Sequence, residues 1–302
     1  MRIKYNLLMM LAALIWGSAF VAQRVGMDHI GAYTFNCVRS FIGSLALIPV
    51  VLTLGKSGAI AQFATPKGRR ALLVGGIVCG LALTVATLFQ QVGLKYTSAG
   101  KSGFITAQYI LIVPLLGLFL GKRVSWFTWL GVLVALVGMY LLCIKEDFHM
   151  EYGDILVFCC AISFSVHIMA IDHFVRTVDG ILLSCVQFLV CGTLSGVIMF
   201  LVEEPTWSGI VQGWFPLIYA GILSSGVAYT LQIITQKHLS PAIAALVMSM
   251  ESVFAALSGW IVLGEHFSGR EFAGCVLVFI ATLLAQVPAK AANNKIKKGI
   301  KI

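Results

Sequence analysis

Charged side chains are what this sequence has least of. Asp, Glu, Lys and Arg make up 11% of its 302 residues against 59% apolar, and its mean hydropathy is +0.96. Soluble domains carry about 25% charged residues, so a water-soluble globule is excluded. The chain also lacks any polar stretch long enough for a domain outside a membrane. It has no CxxC pair and no HExxH run, and no GxSx serine has an identifiable base. Of its eight cysteines only Cys159 and Cys160 lie close together, so neither a disulfide framework nor a zinc site is expected. Chemistry within a membrane needs a nucleophile with its base, paired carboxylates or a metal cluster at depth. One acid and one histidine at depth do not supply these, so no enzyme, cofactor or metal is expected.

What fills the chain instead is ten apolar stretches separated by short loops. Their approximate spans are Tyr5 to Arg24, Ala32 to Leu54, Ala71 to Gln90, Ser98 to Gly121 and Val124 to Ile144, then Asp154 to Ile171, Ile181 to Val202, Trp214 to Thr235, Pro241 to Gly264 and Phe272 to Pro288. Each is long enough to cross a hydrocarbon core of about 30 Å as a helix rising about 1.5 Å per residue. The fold class expected is an all-α polytopic membrane protein with ten transmembrane helices. The first stretch follows Arg2 and Lys4 as a secretory signal would, but nine more follow it, and it is expected to remain as the first helix.

A net charge of +9 could suggest a nucleic-acid partner, but its distribution reads as topology. With the N-terminus in the cytoplasm, fifteen Lys and Arg fall on cytoplasmic segments, and only Arg24, Lys95, Lys145 and Arg270 fall opposite. Both termini are then cytoplasmic, in the plasma or inner membrane of the cell, and no nucleic acid is expected. The lysine-rich tail 289–302 reads as a basic cytoplasmic end drawn to anionic lipid.

The chain also repeats itself. KYTSAG at Lys95 to Gly100 recurs in outline as KHLSPA at Lys237 to Ala242, and LGKRVS at Leu120 to Ser125 recurs as LGEHFS at Leu263 to Ser268. The halves are residues 1–145 and 146–288, with five spans each. An odd number of spans turns the second copy upside down, which makes two inverted five-helix repeats. WGSAF at Trp16 to Phe20, Arg39 in NCVRSF, KYTSAGKSGF at the start of the fourth span and the paired LGxxxS motifs together resemble the EamA family of the drug/metabolite transporter superfamily. The resemblance covers nearly the whole chain. It implies a ten-helix bundle of inverted repeats that moves a small metabolite by alternating access, commonly outward, without fixing the substrate.

Three ionisable residues lie well inside apolar spans: Arg39, Lys101 and Glu251. A charge at the bilayer centre costs about 2.5–3.5 kcal/mol on insertion scales, so such residues face a bundle interior or a wet cavity. By helical rise, Arg39 lies about 10 Å and Lys101 about 5 Å from one membrane face, while Glu251 lies about 15 Å in from the other. Two cations near one opening favour a carboxylate or phosphate, although an ion pair or carbonyl clamp for Arg39 and snorkelling for Lys101 are the structural alternatives. Glu251 could pair with a cation, bind a substrate ammonium, or hold a proton in a dry site; with His167, also near the midplane, it is a candidate for proton coupling. Trp16, Asn36, Gln108, Tyr109 and Tyr229 supply neutral hydrogen bonds or stacking faces at matching depth, and Gln108 and Glu251 stand 143 residues apart in the two repeats. Pro114 removes a backbone hydrogen bond and is expected to bend the fourth span. Glycine pairs such as Gly76 with Gly80 and Gly192 with Gly196 are expected to let helices pack closely.

The function expected is a secondary active transporter of a small polar metabolite, with an amino acid or related carboxylate first and export the direction. An exporter of drugs or cationic aromatic compounds is the alternative, and a membrane sensor without transport comes third. Partners are the small-molecule substrate, the lipid bilayer and a proton or substrate gradient, with the chain a monomer or homodimer.

Overall fold

The computed structural model describes residues 2–53, 56–97, 99–144, 151–263 and 268–286. The boundary between halves at 145 and 146, the span ends at Leu54, Ser98, Gly264 and Pro288, and the tail 289–302 lie outside the described residues. All regular structure among the described residues is helical. The first half runs α1 (Arg2–Gly26), α2 (Ala32–Thr53), α3 (Lys56–Ala64), α4 (Pro66–Gly93), α5 (Ala99–Thr106), α6 (Tyr109–Phe119) and α7 (Trp126–Cys143). The second runs α8 (Tyr152–Phe174), α9 (Gly180–Val202), α10 (Trp207–Gln212), α11 (Trp214–Ile218), a π-helical stretch (Tyr219–Ala228), α12 (Tyr229–Gln236), α13 (Pro241–Met248), α14 (Met250–Leu263) and α15 (Gly269–Ala285). Eight of the spans among the described residues are long and apolar enough to cross a membrane, and Trp126–Leu142 is a shorter apolar helix. The expected tenth span falls on the 17-residue α15, which is not among these apolar helices.

Local chemistry sets the helix ends. Thr65, Ser125, Asp179 and Thr206 each cap the helix that follows by accepting a backbone N–H, and Pro66 and Pro241 take first-turn positions where no donor is needed. The N-terminus of α2 is capped from another span: Glu203, just past α9, accepts from the N–H groups of Tyr33 and Thr34 and from the Thr34 hydroxyl.

Lipid gives apolar helices no hydrophobic reason to associate, so close packing must hold them. Gly76 and Gly80 of α4 lie against α9, and Gly192 and Gly196 of α9 lie against α2, so these pairs serve packing inside the chain. A close crossing joins α7 to α15, where a Cβ on Gly138 would come within 2.8 Å of the Gly274 carbonyl and one on Gly274 within 2.5 Å of the Gly138 carbonyl. That pair also packs on α13 and α14 and adds Met139 and Val278 to the main core. The remaining spans enclose a core around α1, which packs along α14 and the π-helical stretch.

Two spans are interrupted at matching places. The fourth tightens to i→i−3 hydrogen bonds around Ala107 and Gln108, and the ninth does so around Ser249. Gln108 and Ser249 share nearly the same backbone angles, φ −60°, ψ −11° and φ −61°, ψ −13°. Helices α5 and α13, which lead into the breaks, are 142 residues apart at both their ends. On that spacing the counterpart of Glu251 is Tyr109 rather than Gln108. The interruption precedes Pro114, which lies within α6. Short 3₁₀ segments inside helices commonly mark hinges.

Candidate functional site

Between the two breaks lies a cavity of about 30 Å³. From the first half it is lined by Trp16, Phe20 and Gln23 of α1, Arg39 of α2, Gln90 of α4, Thr106 and Tyr109. The second half contributes Phe164, Ser224, Tyr229, Gln232, Met248 and Glu251. About 10–15 Å³ holds one water, while sites for drug-sized ligands run to about 300–1,000 Å³. In this conformation the cavity admits water and must widen to take a metabolite.

The WGSAF segment acts here as a unit. Trp16 and Phe20 face the cavity, Ser18 shares a 2.6 Å hydrogen bond with Tyr219, and Ala19 is buried. Gly17 lets α1 rest on the backbone of α14: a Cβ there would meet the Glu251 carbonyl at 2.6 Å and the Ala255 nitrogen at 2.7 Å. The missing side chain thus positions the helix that carries Glu251.

Arg39 is buried and held wholly by neutral groups. Its Nε and Nη2 donate to Asn36 Oδ1 at 3.0 and 2.8 Å, and Nη1 donates to Gln23 Oε1 at 3.3 Å. Asn36 in turn donates to Ser195 at 2.8 Å and Thr87 at 3.1 Å. Hydrogen bonds to a charged group are worth about 1.5–3 kcal/mol each, so the guanidinium is fixed while its charge stays uncompensated by any acid among the described residues. Across the cavity, Glu251 accepts from the Tyr109 hydroxyl at 2.8 Å and forms no ion pair among the described residues. The two equivalent positions of the repeats therefore meet in one hydrogen bond. Two further polar atoms on the wall, the Trp16 indole N–H and Gln232 Oε1, lack a partner among the described residues.

The structure brings together Trp16, Arg39, Tyr109, Tyr229 and Glu251 from among the residues singled out in the sequence. Asn36 stands one layer back, as the support of Arg39. His167 also lies behind the wall, bonded to Gln187 at 3.0 Å, with its ring against the edge of Tyr229. Gln108 points elsewhere, its amide donating to the Phe104 carbonyl. Lys101 is away from the cavity, in a 2.5 Å ion pair with Asp154 at one end of the bundle. Gln23, Phe20 and Phe164 were not foreseen. Gln23 had the weakest signal, since it sits near the end of its span, and only its i, i+7 spacing from Trp16 places both on one face. Trp126, Trp207 and Trp214 are exposed near helix ends, as interfacial anchors are.

Comparison with known proteins agrees with this architecture. The EamA-like transporter family matches the chain twice, over residues 3–144 and 151–286. An uncharacterized transporter of Archaeoglobus fulgidus is 31% identical over 293 residues, covering 95% of this chain and 87% of that protein. The uncharacterized transporter YoaV of Bacillus subtilis is 20% identical, covering 88% and 90%, and a WAT1-related chloroplastic protein of Arabidopsis thaliana is 25% identical, covering 90% and 67%. A crystal structure superposes with a TM-score of 0.80 at 21% identity over 97% of this chain and 99% of that one, which shows a shared fold. With two consecutive matches spanning nearly all of its length, this multi-pass membrane protein belongs to the EamA-like transporter family.

Proposed function

We propose that the chain is a secondary active transporter that exports an amino acid or related carboxylate from the cytoplasm, and that the cavity between the two broken spans is its substrate site. The observation that carries this reading is that Arg39 and Glu251 line one cavity and neither has a counter-ion among the described residues. A buried charge without its opposite is costly, and a zwitterion supplies both opposites at once. Its carboxylate would take Arg39 and the Trp16 N–H, and its ammonium would take Glu251 and the Gln232 oxygen, two atoms without a partner among the described residues. When no ammonium is present a proton would replace it on Glu251, which couples substrate to proton movement; His167 is the second group suited to that role.

Two inverted repeats, 1–145 and 146–288, would rock against each other about the hinges at Ala107–Gln108 and Ser249. That motion would open the contracted site to one face at a time. The bias of Lys and Arg supports cytoplasmic termini and a place in the cell membrane. A second reading, export of cationic aromatic compounds, is favoured by the five aromatic rings of Trp16, Phe20, Tyr109, Phe164 and Tyr229 on the cavity wall beside a single acid. Solute flux in sealed vesicles decides between them. Counterflow of amino acids that is lost in both Arg39→Gln and Glu251→Gln supports the first, whereas flux of quaternary amines that survives Arg39→Gln would replace it with the second.

A further inference from the structure

Two lysines tie the fourth span to the sixth at opposite ends of the bundle. Lys101, in the first turn of α5, pairs with Asp154 in the first turn of α8 at 2.5 Å. Lys122, just beyond α6, pairs with Asp172 in the last turn of α8. The acids are 18 residues apart on one unbroken helix. Eighteen residues make five turns, so both stand on the same face, about 27 Å apart.

The lysines, by contrast, sit on a jointed arm. The 3₁₀ tightening at Ala107–Gln108 separates α5 from α6, so each lysine belongs to a different segment. Lys122 is fixed to α6 by the way that helix ends: Gly121 adopts φ +72°, its N–H bonds Leu118 O, and the Lys122 N–H bonds Gly117 O at 2.8 Å. This is a Schellman closure, and it makes Lys122 move with the helix.

Neither acid depends on its lysine alone. Asp154 also accepts from the Glu151 N–H at 2.8 Å and from the Thr97 hydroxyl at 2.7 Å. Asp172 has Arg176 one turn on, 3.7 Å away. Removing a sole partner strands a buried charge at heavy cost. Here Asp154 keeps two hydrogen bonds and Asp172 keeps a guanidinium nearby when its lysine leaves.

Lys122 also borders a cleft of about 240 Å³ between the halves, together with Pro114 and Gly117 on α6 and Pro241 and Ala242 on α13. Tyr109, Val113 and Gly117 follow one another at four-residue spacing, so this cleft lies on the helical face that carries the central cavity. Buried Val113 lines the cleft one turn along from Tyr109, which lines the central cavity.

We propose that Lys101–Asp154 and Lys122–Asp172 are two end-specific latches on one rigid helix, each holding its own end of the translocation path shut. The proposal rests on the alternating-access reading above. Releasing Lys122 frees α6 to swing from α8 and opens the cleft towards Tyr109. Releasing Lys101 frees α5 and opens the opposite end, where buried Ser102 lies behind the latch.

The test is site-specific maleimide labelling of the full-length protein in detergent, with the modified peptide quantified by mass spectrometry. Thiols are introduced by Ser102→Cys behind one latch and Gly117→Cys behind the other. Asp172→Asn is expected to raise the labelling rate at position 117 about fivefold and leave position 102 unchanged, a modest population shift. Lys101→Gln, which leaves the Asp154 cap of α8 intact, is expected to do the reverse. The charge exchange Lys122→Asp with Asp172→Lys should restore the slow rate at 117, which a merely loosened fold would not. Equal changes at both positions, or none at either, overturn the latches whatever the solute flux of the protein without added thiols. End-specific changes in a protein that moves no solute uphold the latches and instead remove the transport reading.

Discussion

The centre of this bundle and its two ends treat charge in opposite ways. At the ends, each lysine meets an aspartate on α8, and the acid is further held by groups of its own neighbourhood. In the centre, Arg39 is held by amides and Glu251 by a phenol, with no opposite charge offered to either among the described residues. Paired charges consume their own field. Charges fixed by neutral dipoles keep it for whatever enters the cavity, so the lack of a partner, rather than depth in the membrane, separates the proposed binding charges from those that close the path.

The largest effect is expected from removing the central charges. Glu251→Gln keeps the size of the side chain and an acceptor for Tyr109, and Arg39→Gln keeps a polar group near Asn36. Either should lower counterflow by about 100-fold or more, the scale of truncating one member of a buried charge pair. The same measurement on Lys122→Gln should show only a few-fold change. A subtler alteration gives the centre the character of the ends. Asn36→Asp would place a carboxylate against Arg39 and satisfy it internally, and amino-acid binding measured by calorimetry should weaken about tenfold while the melting temperature holds or rises.

Smaller still is the contribution of the bond between the two breaks. Tyr109→Phe should alter substrate affinity about fivefold, in line with about 1 kcal/mol for a neutral donor. At the bottom of the scale, Lys122→Gln should change unfolding free energy by less than about 1 kcal/mol, because that lysine is partly exposed and its pair is screened. A loss of several degrees in melting temperature would mean that the end pairs bear structure as well as gating.

The fold was legible in the sequence because membrane spans announce themselves by length and apolarity, and because loop-edge motifs such as KYTSAG and KHLSPA survive where lipid does not dictate composition. The breaks were not. Pro114 drew attention as the only conspicuous helix breaker in the fourth span, whereas the chain tightens at Ala107–Gln108, where no residue forbids an α-helix. The site was legible in part. Arg39 and Glu251 stood out as charges in apolar spans, and Trp16 as an aromatic at their depth. Lys101 stands out by the same logic, yet it lies in the pair with Asp154, where the sixth span begins. Partnership across spans is set by how helices rotate about their axes, and a pattern of apolar residues facing lipid specifies that rotation weakly. The five-turn interval from Asp154 to Asp172 was present in the sequence and gained meaning only with the two lysines beside it.

The central claim is that Arg39 and Glu251 together receive a zwitterion, and thermal-shift titration of the purified protein tests it most directly. Amino acids would be compared with the matching amines that lack the carboxylate and the matching acids that lack the ammonium. The account predicts that one class of amino acid raises the melting temperature, that its stripped analogues do not, and that Arg39→Gln and Glu251→Gln each abolish the shift. Stabilisation by the amine alone, undiminished in Arg39→Gln, would contradict it.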